Sequence, residues 1–131
     1  MKNRATATVL ACLLGAAALT ACSSDSGDDK PAAEAPAYEI TKQDDSGNQR
    51  NVVVEVKTTK NLRAVFDDVA GKLTDEAGYF VQINCTTGAT SGADNRLANG
   101  KKAVGNMGAA ATGLDDGKTE YEANKGTACP K

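Results

Sequence analysis

From residue 38 onward the chain shows short stretches of period-two hydrophobicity around one stretch of helical period. Tyr38-Glu39-Ile40-Thr41-Lys42 alternates apolar and polar positions, Asp44 to Asn48 (DDSGN) is turn chemistry, and VVVEVK puts Val52, Val54 and Val56 on one side. This pattern predicts two antiparallel strands joined as a hairpin. Leu62, Val65, Phe66, Val69 and Leu73 then recur at helical spacing. A helix over about residues 60–75 follows, with Thr58 or Thr59 available as N-cap and Gly78 as its stop. On its outer face Asp68 precedes Lys72 by four residues, the favourable order for a helical ion pair.

Further along, YFVQINC alternates again, with Tyr79, Val81, Ile83 and Cys85 on one side and Phe80, Gln82 and Asn84 on the other. Residues 86–95 are rich in Gly, Ser and Thr and read as a loop. After Arg96 the pattern weakens. Ala103, Val104 and Met107 fit a strand or a poor helix, and Gly100, Gly105 and Gly108 favour the strand. The Gly and Ala run from Gly105 to Gly113 would make a flat surface of small residues, suited either to another backbone or to the crossing of the helix over the sheet. Ala109 to Leu114, the turn Asp115-Asp116-Gly117, and Lys118 to Ala123 read as a hairpin with Thr119, Tyr121 and Ala123 facing one way. The expected fold is α+β: a small antiparallel sheet with one helix packed on a face, in the order ββαβββ.

The N-terminal third follows neither period. Lys2 and Arg4 form a positive start, residues 5–19 are mostly apolar or small, and the run closes on Leu19-Thr20-Ala21-Cys22. It is too short for a permanent membrane span and reads as a signal peptide. Residues 23–37, SSDSGDDKPAAEAPA, carry no apolar periodicity and too little hydrophobic surface to offset their chain entropy. Leu19-Thr20-Ala21-Cys22 resembles the lipobox of bacterial lipoproteins. The resemblance implies that Leu19, Thr20 and Ala21 are read by the lipoprotein signal peptidase, that the Cys22 thiol carries a diacylglycerol, and that Cys22 becomes the mature N-terminus. Two acyl chains suffice for stable anchoring, each buried methylene contributing about 0.8 kcal/mol. The expected organisation is a signal peptide at 1–21, a lipidated cysteine and disordered tether at 22–37, and one small domain at 38–131. The expected location is the extracytoplasmic face of a cell membrane. The rivals are a secreted protein with an incidental Cys22 and a cytoplasmic protein with an apolar first helix, and both leave the polar run unexplained.

Within that reading the four cysteines divide simply. Cys12 leaves with the signal peptide and Cys22 is lipidated, so Cys85 and Cys129 remain as a disulfide pair in an oxidising compartment. A zinc site is the weaker alternative, because the chain has no histidine to complete it. No metal or other cofactor is expected.

Charge and motifs narrow the chemistry further. Removal of residues 1–21 takes away Lys2 and Arg4 and none of the 17 acidic residues, so the remainder is mildly acidic, which argues against nucleic acid as a partner. The absence of histidine removes Ser-His-Asp and Cys-His catalysis. Asp67-Asp68 point about 100° apart on a helix and read as a solvated face, and Asp115-Asp116-Gly117 reads as a turn without the ligand spacing of a calcium loop. Gly117-Lys118-Thr119 ends like a phosphate-binding loop, but Thr112 stands where that motif needs its first glycine and two carboxylates occupy the phosphate positions, so no nucleotide is expected. Lys101-Lys102 suits either an anionic partner or the protection of an edge strand.

The functional expectation is a lipid-anchored, non-enzymatic binding module with an envelope protein or other envelope component as partner, held to the membrane through the diacylglycerol on Cys22. The alternative is a cell-wall-acting enzyme or enzyme accessory, in which two acids among Glu55, Asp94, Glu120 and Glu122 converge in a cleft.

Overall fold

A computed structural model describes residues 33–86 and 95–129. Leu19, Thr20, Ala21 and Cys22 of the expected anchor, the expected tether up to residue 32, and Asp94 lie outside the described residues. The elements run β1 (Tyr38–Gln43), β2 (Gln49–Val56), α1 (Leu62–Lys72), β3 (Ala77–Cys85), β4 (Arg96–Val104), α2 (Gly105–Thr112) and β5 (Thr119–Ala123). The class is α+β, with one five-stranded sheet in the order β1-β2-β3-β4-β5. The expected ββαβββ order gains a second helix between the last two strands.

The sheet is mixed rather than wholly antiparallel. β1 pairs antiparallel with β2, β3 with β4 and β4 with β5, while β2 and β3 are parallel. The cause is α1: a helix between two neighbouring strands carries the chain back to the end where it started, so the next strand runs the same way. The β1–β2 turn forms as expected. Gly47 takes φ 85°, and the Asp44 carboxylate accepts both the backbone N–H and the side-chain amide of Asn51 at 3.0 Å. The Asn51 backbone N–H, ahead of the side-chain amide, holds the Asp44 carboxyl below the usual carboxylate range.

α1 is shorter than its periodicity implied. It starts from Asn61, in the left-handed region at φ 54°, rather than from a threonine cap; Thr58 instead accepts the Lys60 N–H, one turn earlier. It ends at Lys72, where Leu73 becomes extended and buries its side chain. Gly78 is not the stop but lies inside β3. The terminal carbonyls of Ala70 and Leu73 are satisfied from across the sheet, where the Lys102 ammonium donates to both at 2.6 and 2.8 Å. This suits the negative end of the helix dipole.

Leu62, Val65, Phe66, Val69, Ala70 and Leu73 of this segment bury against Val52, Val54, Val56, Tyr79, Val81 and Ile83. Each large apolar side chain removed from water in this way contributes about 1.5–3 kcal/mol. Phe66 lies over Gly100, where a Cβ would enter the ring, and meets Tyr121 of β5 with ring centroids 5.5 Å apart. The tail after β5 is fixed to the sheet by Asn124, whose side-chain amide donates to the Arg96 carbonyl at 2.7 Å, and by the disulfide between Cys85 and Cys129.

Residues 105–112 are helical, not the strand and hairpin arm that Met107 and Ala109 to Leu114 suggested. Two carboxylates from elsewhere occupy the α2 N-terminus: Asp116 accepts the Gly105 N–H at 2.7 Å and Glu76 the Met107 N–H at 3.2 Å. Ala109, Ala110 and Ala111 are strong helix formers, and Gly113 closes the helix at φ 74°. The small-residue run is where this second helix meets the sheet. Gly108 leaves no room for a Cβ against Ala77 and Ala103, and Gly78 of β3 faces Ala111 and Thr112.

Candidate functional site

α1 covers one face of the sheet and α2 covers one end of the other. Among the described residues nothing covers the remainder of that second face, and the strand registers determine what it displays. Side chains alternate between faces along a strand, so the positions opposite the valines of β2 line up across the sheet. Asn51, Phe80, Lys101 and Glu120 form one row, and Val53, Gln82, Asn99 and Glu122 the next. A third, shorter row holds Glu55, Asn84 and Arg96. The first two rows enclose a shallow concavity of about 420 Å³. A second of about 210 Å³ lies beside it, lined by Thr41, Lys42, Val53, Glu55, Asn84 and Asn95.

The concavity combines amides, carboxylates, one ammonium and one aromatic ring. Lys101 pairs with Glu120 at 3.0 Å, and the Gln82 carbonyl oxygen accepts from Arg96 at 2.7 Å. Phe80 is half-buried and is the one aromatic residue outside the hydrophobic cluster that Phe66 and Tyr79 join and Tyr38 and Tyr121 pack against. Compared with protein-family models, with curated proteins and with solved structures, the chain has no match.

Other sequence-derived candidates fall into structural roles. Asp67 pairs with Arg63 at 2.9 Å, and Asp68 with Lys72 at 3.0 Å. Tyr38 joins the second pair, donating to Asp68 and accepting from Lys72. The Tyr38 hydroxyl, ahead of Lys72, holds the Asp68 carboxyl below the usual carboxylate range and raises the Lys72 ammonium. Burial, ahead of Asp68, raises the Tyr38 hydroxyl. This trio fixes the start of β1 to the exposed side of α1. Residues 33–35 lie along the same side, with Ala35 against the core.

In the turn before β5 four backbone N–H groups are already used. Gly113 donates to Ala109, Gly117 to Ala103 and Lys118 to Asp115, while Leu114 donates to the Thr112 hydroxyl. Gly117-Lys118-Thr119 thus belongs to the turn that joins α2 to β5 rather than to a cradle of free amides. Lys101 and Lys102 diverge to opposite faces, one to Glu120 and the other to the α1 terminus. Of the four acids considered for catalysis, Glu120 and Glu122 share the larger concavity and Glu55 lines the smaller one.

The residues missed from sequence are Asn51, Phe80, Gln82 and Asn99. Their signal was the polar half of each alternating strand, but alternation along one strand does not say which residues of the next strand stand beside it.

Among the described residues, no helix is long and apolar enough to cross a membrane.

Proposed function

We propose that the chain is a bacterial lipoprotein, anchored through diacylglycerol on Cys22 to the extracytoplasmic face of a membrane, and that its folded part is a non-enzymatic binding module of the cell envelope. The observation that carries the binding role is the open sheet face. Its rows of amides and charges add nothing to the core, which lies on the α1 side, yet they form a shared concavity. The chain arrives along α1, the layer opposite that face. A tether from Cys22 to residue 33 reaches at most about 35–40 Å when extended, enough to hold the module off the membrane surface.

The test is site-specific photo-crosslinking in the producing cells, with the probe at Gln82 or Asn99 on the open face, or at Arg63 on α1. Mass spectrometry of the N-terminal peptide accompanies it. An acylated Cys22, with adducts from the open face and none from Arg63, is the expected result. Unmodified Cys22 would overturn the anchor, and equal adducts from both faces would overturn the binding face.

A second reading, catalysis by carboxylates, draws on Glu120 and Glu122 lining one concavity. They stand two residues apart on a strand, about 7 Å along the backbone, within the range that paired acids use for glycoside hydrolysis. Lys101 is ion-paired with Glu120, the Glu120 side chain is 58% exposed and Glu122 is exposed as well, so neither acid stands in an enclosed cleft. Hydrolysis of cell-wall material that disappears in Glu120→Gln or Glu122→Gln would establish this reading in place of the first.

A further inference from the structure

We infer that the open face binds an uncharged, hydroxyl-rich polymer, a neutral glycan, with Phe80 as the stacking platform and the surrounding amides and carboxylates as hydroxyl partners. This deepens the binding-module reading and rests on it.

Charge excludes the first competitor. Lys101 is paired with Glu120 at 3.0 Å and Arg96 donates to Gln82, while Glu122 and Glu55 have no ion-pair partner among the described residues. An anionic polymer or headgroup would meet unpaired carboxylates and no free cation in the two main rows. Composition disfavours the second. The buried centre of a protein interface is enriched in aromatic and apolar anchors and depleted in Lys and Glu, and this concavity offers a single aromatic ring among amides and charges.

What remains is the pairing that a sugar provides. A pyranose presents an apolar C–H face to an aromatic ring and hydroxyls that both donate and accept. Around Phe80 the groups available to them are of both kinds. The Asn51 amide nitrogen is held by Asp44, which leaves its oxygen as an acceptor. Gln82 gives its oxygen to Arg96, which leaves its NH₂ as a donor, and Glu122 is an acceptor. Neighbouring rows repeat at about 7 Å along the strands and about 4.8 Å across them, the scale of one sugar ring. A surface so shallow suits a chain lying across it rather than a single enclosed monosaccharide.

The test is retention of the full chain in affinity electrophoresis through gels containing mannan, dextran or chitosan-free N-acetylglucosamine oligomers, with polygalacturonate as the anionic control. The expected result is retardation by at least one neutral glycan, changed less than about twofold between about 0.05 and 0.5 M salt. Phe80→Ala should weaken it about tenfold or more. Phe80 is outside the core cluster, and Gln82→Ala, at a half-exposed position, serves as a second variant whose loss of retention does not depend on tolerance of the first. Retention by polygalacturonate alone, or retention that salt abolishes, would overturn the neutral-glycan assignment. So would retention unaffected by both variants, or no retention by any glycan. If protein adducts still formed at Gln82 in cells, the binding face would survive and only its ligand class would be wrong.

Discussion

Replacing Gly100 by alanine adds one methyl group at the point where α1 rests on β4. A Cβ there would enter the Phe66 ring, meeting Cε2, Cδ2 and Cζ. The ring has little freedom to withdraw, because Phe66 is fully buried and its other neighbour is Tyr121 at 5.5 Å. Overpacking of this kind costs about 1–3 kcal/mol. Alanine also reduces the freedom of the unfolded chain relative to glycine, which returns about 0.4–1 kcal/mol. The net expectation is a destabilisation of about 1–2 kcal/mol. With a urea dependence of about 1–1.5 kcal/mol per molar for a domain of this size, the unfolding midpoint should fall by about 1 M or more. Phe66→Leu removes the outer ring atoms at a cost of about 1–2 kcal/mol, and in that background Gly100→Ala should be close to neutral. The two changes should therefore couple by about 1–2 kcal/mol in a double-mutant cycle. An unchanged midpoint for Gly100→Ala alone, or the same loss in both backgrounds, would refute this account of how the helix is seated.

Three other changes probe the remaining supports. Reduction of the disulfide, or Cys85→Ala with Cys129→Ala, opens a loop of 44 residues and should cost about 4 kcal/mol by the chain-entropy relation, read as a drop in the thermal midpoint. The adjacent lysines should behave unequally. Lys102→Met removes both donors to the α1 terminus and should cost about 1–3 kcal/mol, whereas Lys101→Met removes a partly exposed pair worth at most about 1 kcal/mol; equal effects in urea titrations would contradict the assigned faces. The Tyr38, Asp68 and Lys72 trio predicts two pH limbs. Asp68 titrates lower in the folded chain than in the unfolded one, so its contribution is present above the ordinary carboxylate pKa of about 4 and fades as pH falls through the folded value. Tyr38 and Lys72 titrate higher when folded, so their contribution is present below about 10 and fades as pH rises through the folded values. The stability gap between wild type and Tyr38→Phe, followed by thermal unfolding against pH, should be widest between these limits; a gap independent of pH would contradict the arrangement.

Local pattern alone located the β1–β2 hairpin, the apolar stripe of α1, the alternation of β3 and the turn at Asp115-Asp116-Gly117. Each of these rests on interactions within a few residues or on a periodicity that one element imposes on itself. The Cys85–Cys129 pairing followed from the expectation that Cys12 leaves with a signal peptide and Cys22 is lipidated. The errors have a common source. α2 was misread because part of its support comes from outside its own sequence: Glu76 and Asp116 hold its N-terminus, and Gly78 of β3, together with its own Gly108, lets it approach the sheet. α1 ends where Leu73 turns extended, and its terminal carbonyls find their donor in Lys102, thirty residues beyond Lys72.

The candidate site divides along the same line. Its residues were visible as the polar half of β2, β3, β4 and β5, and the acidic pair Glu120 and Glu122 was among the positions considered for chemistry. Their assembly around Phe80 was not visible, because register between strands is a long-range property. α1 turns β2 and β3 parallel, and that pairing puts Asn51 beside Phe80 and Val53 beside Gln82. Which side chains each strand turns away from the core is legible in the chain alone, through the period of two that the backbone imposes. Which of them become neighbours is not, because that depends on where α1 and α2 return the chain to the sheet.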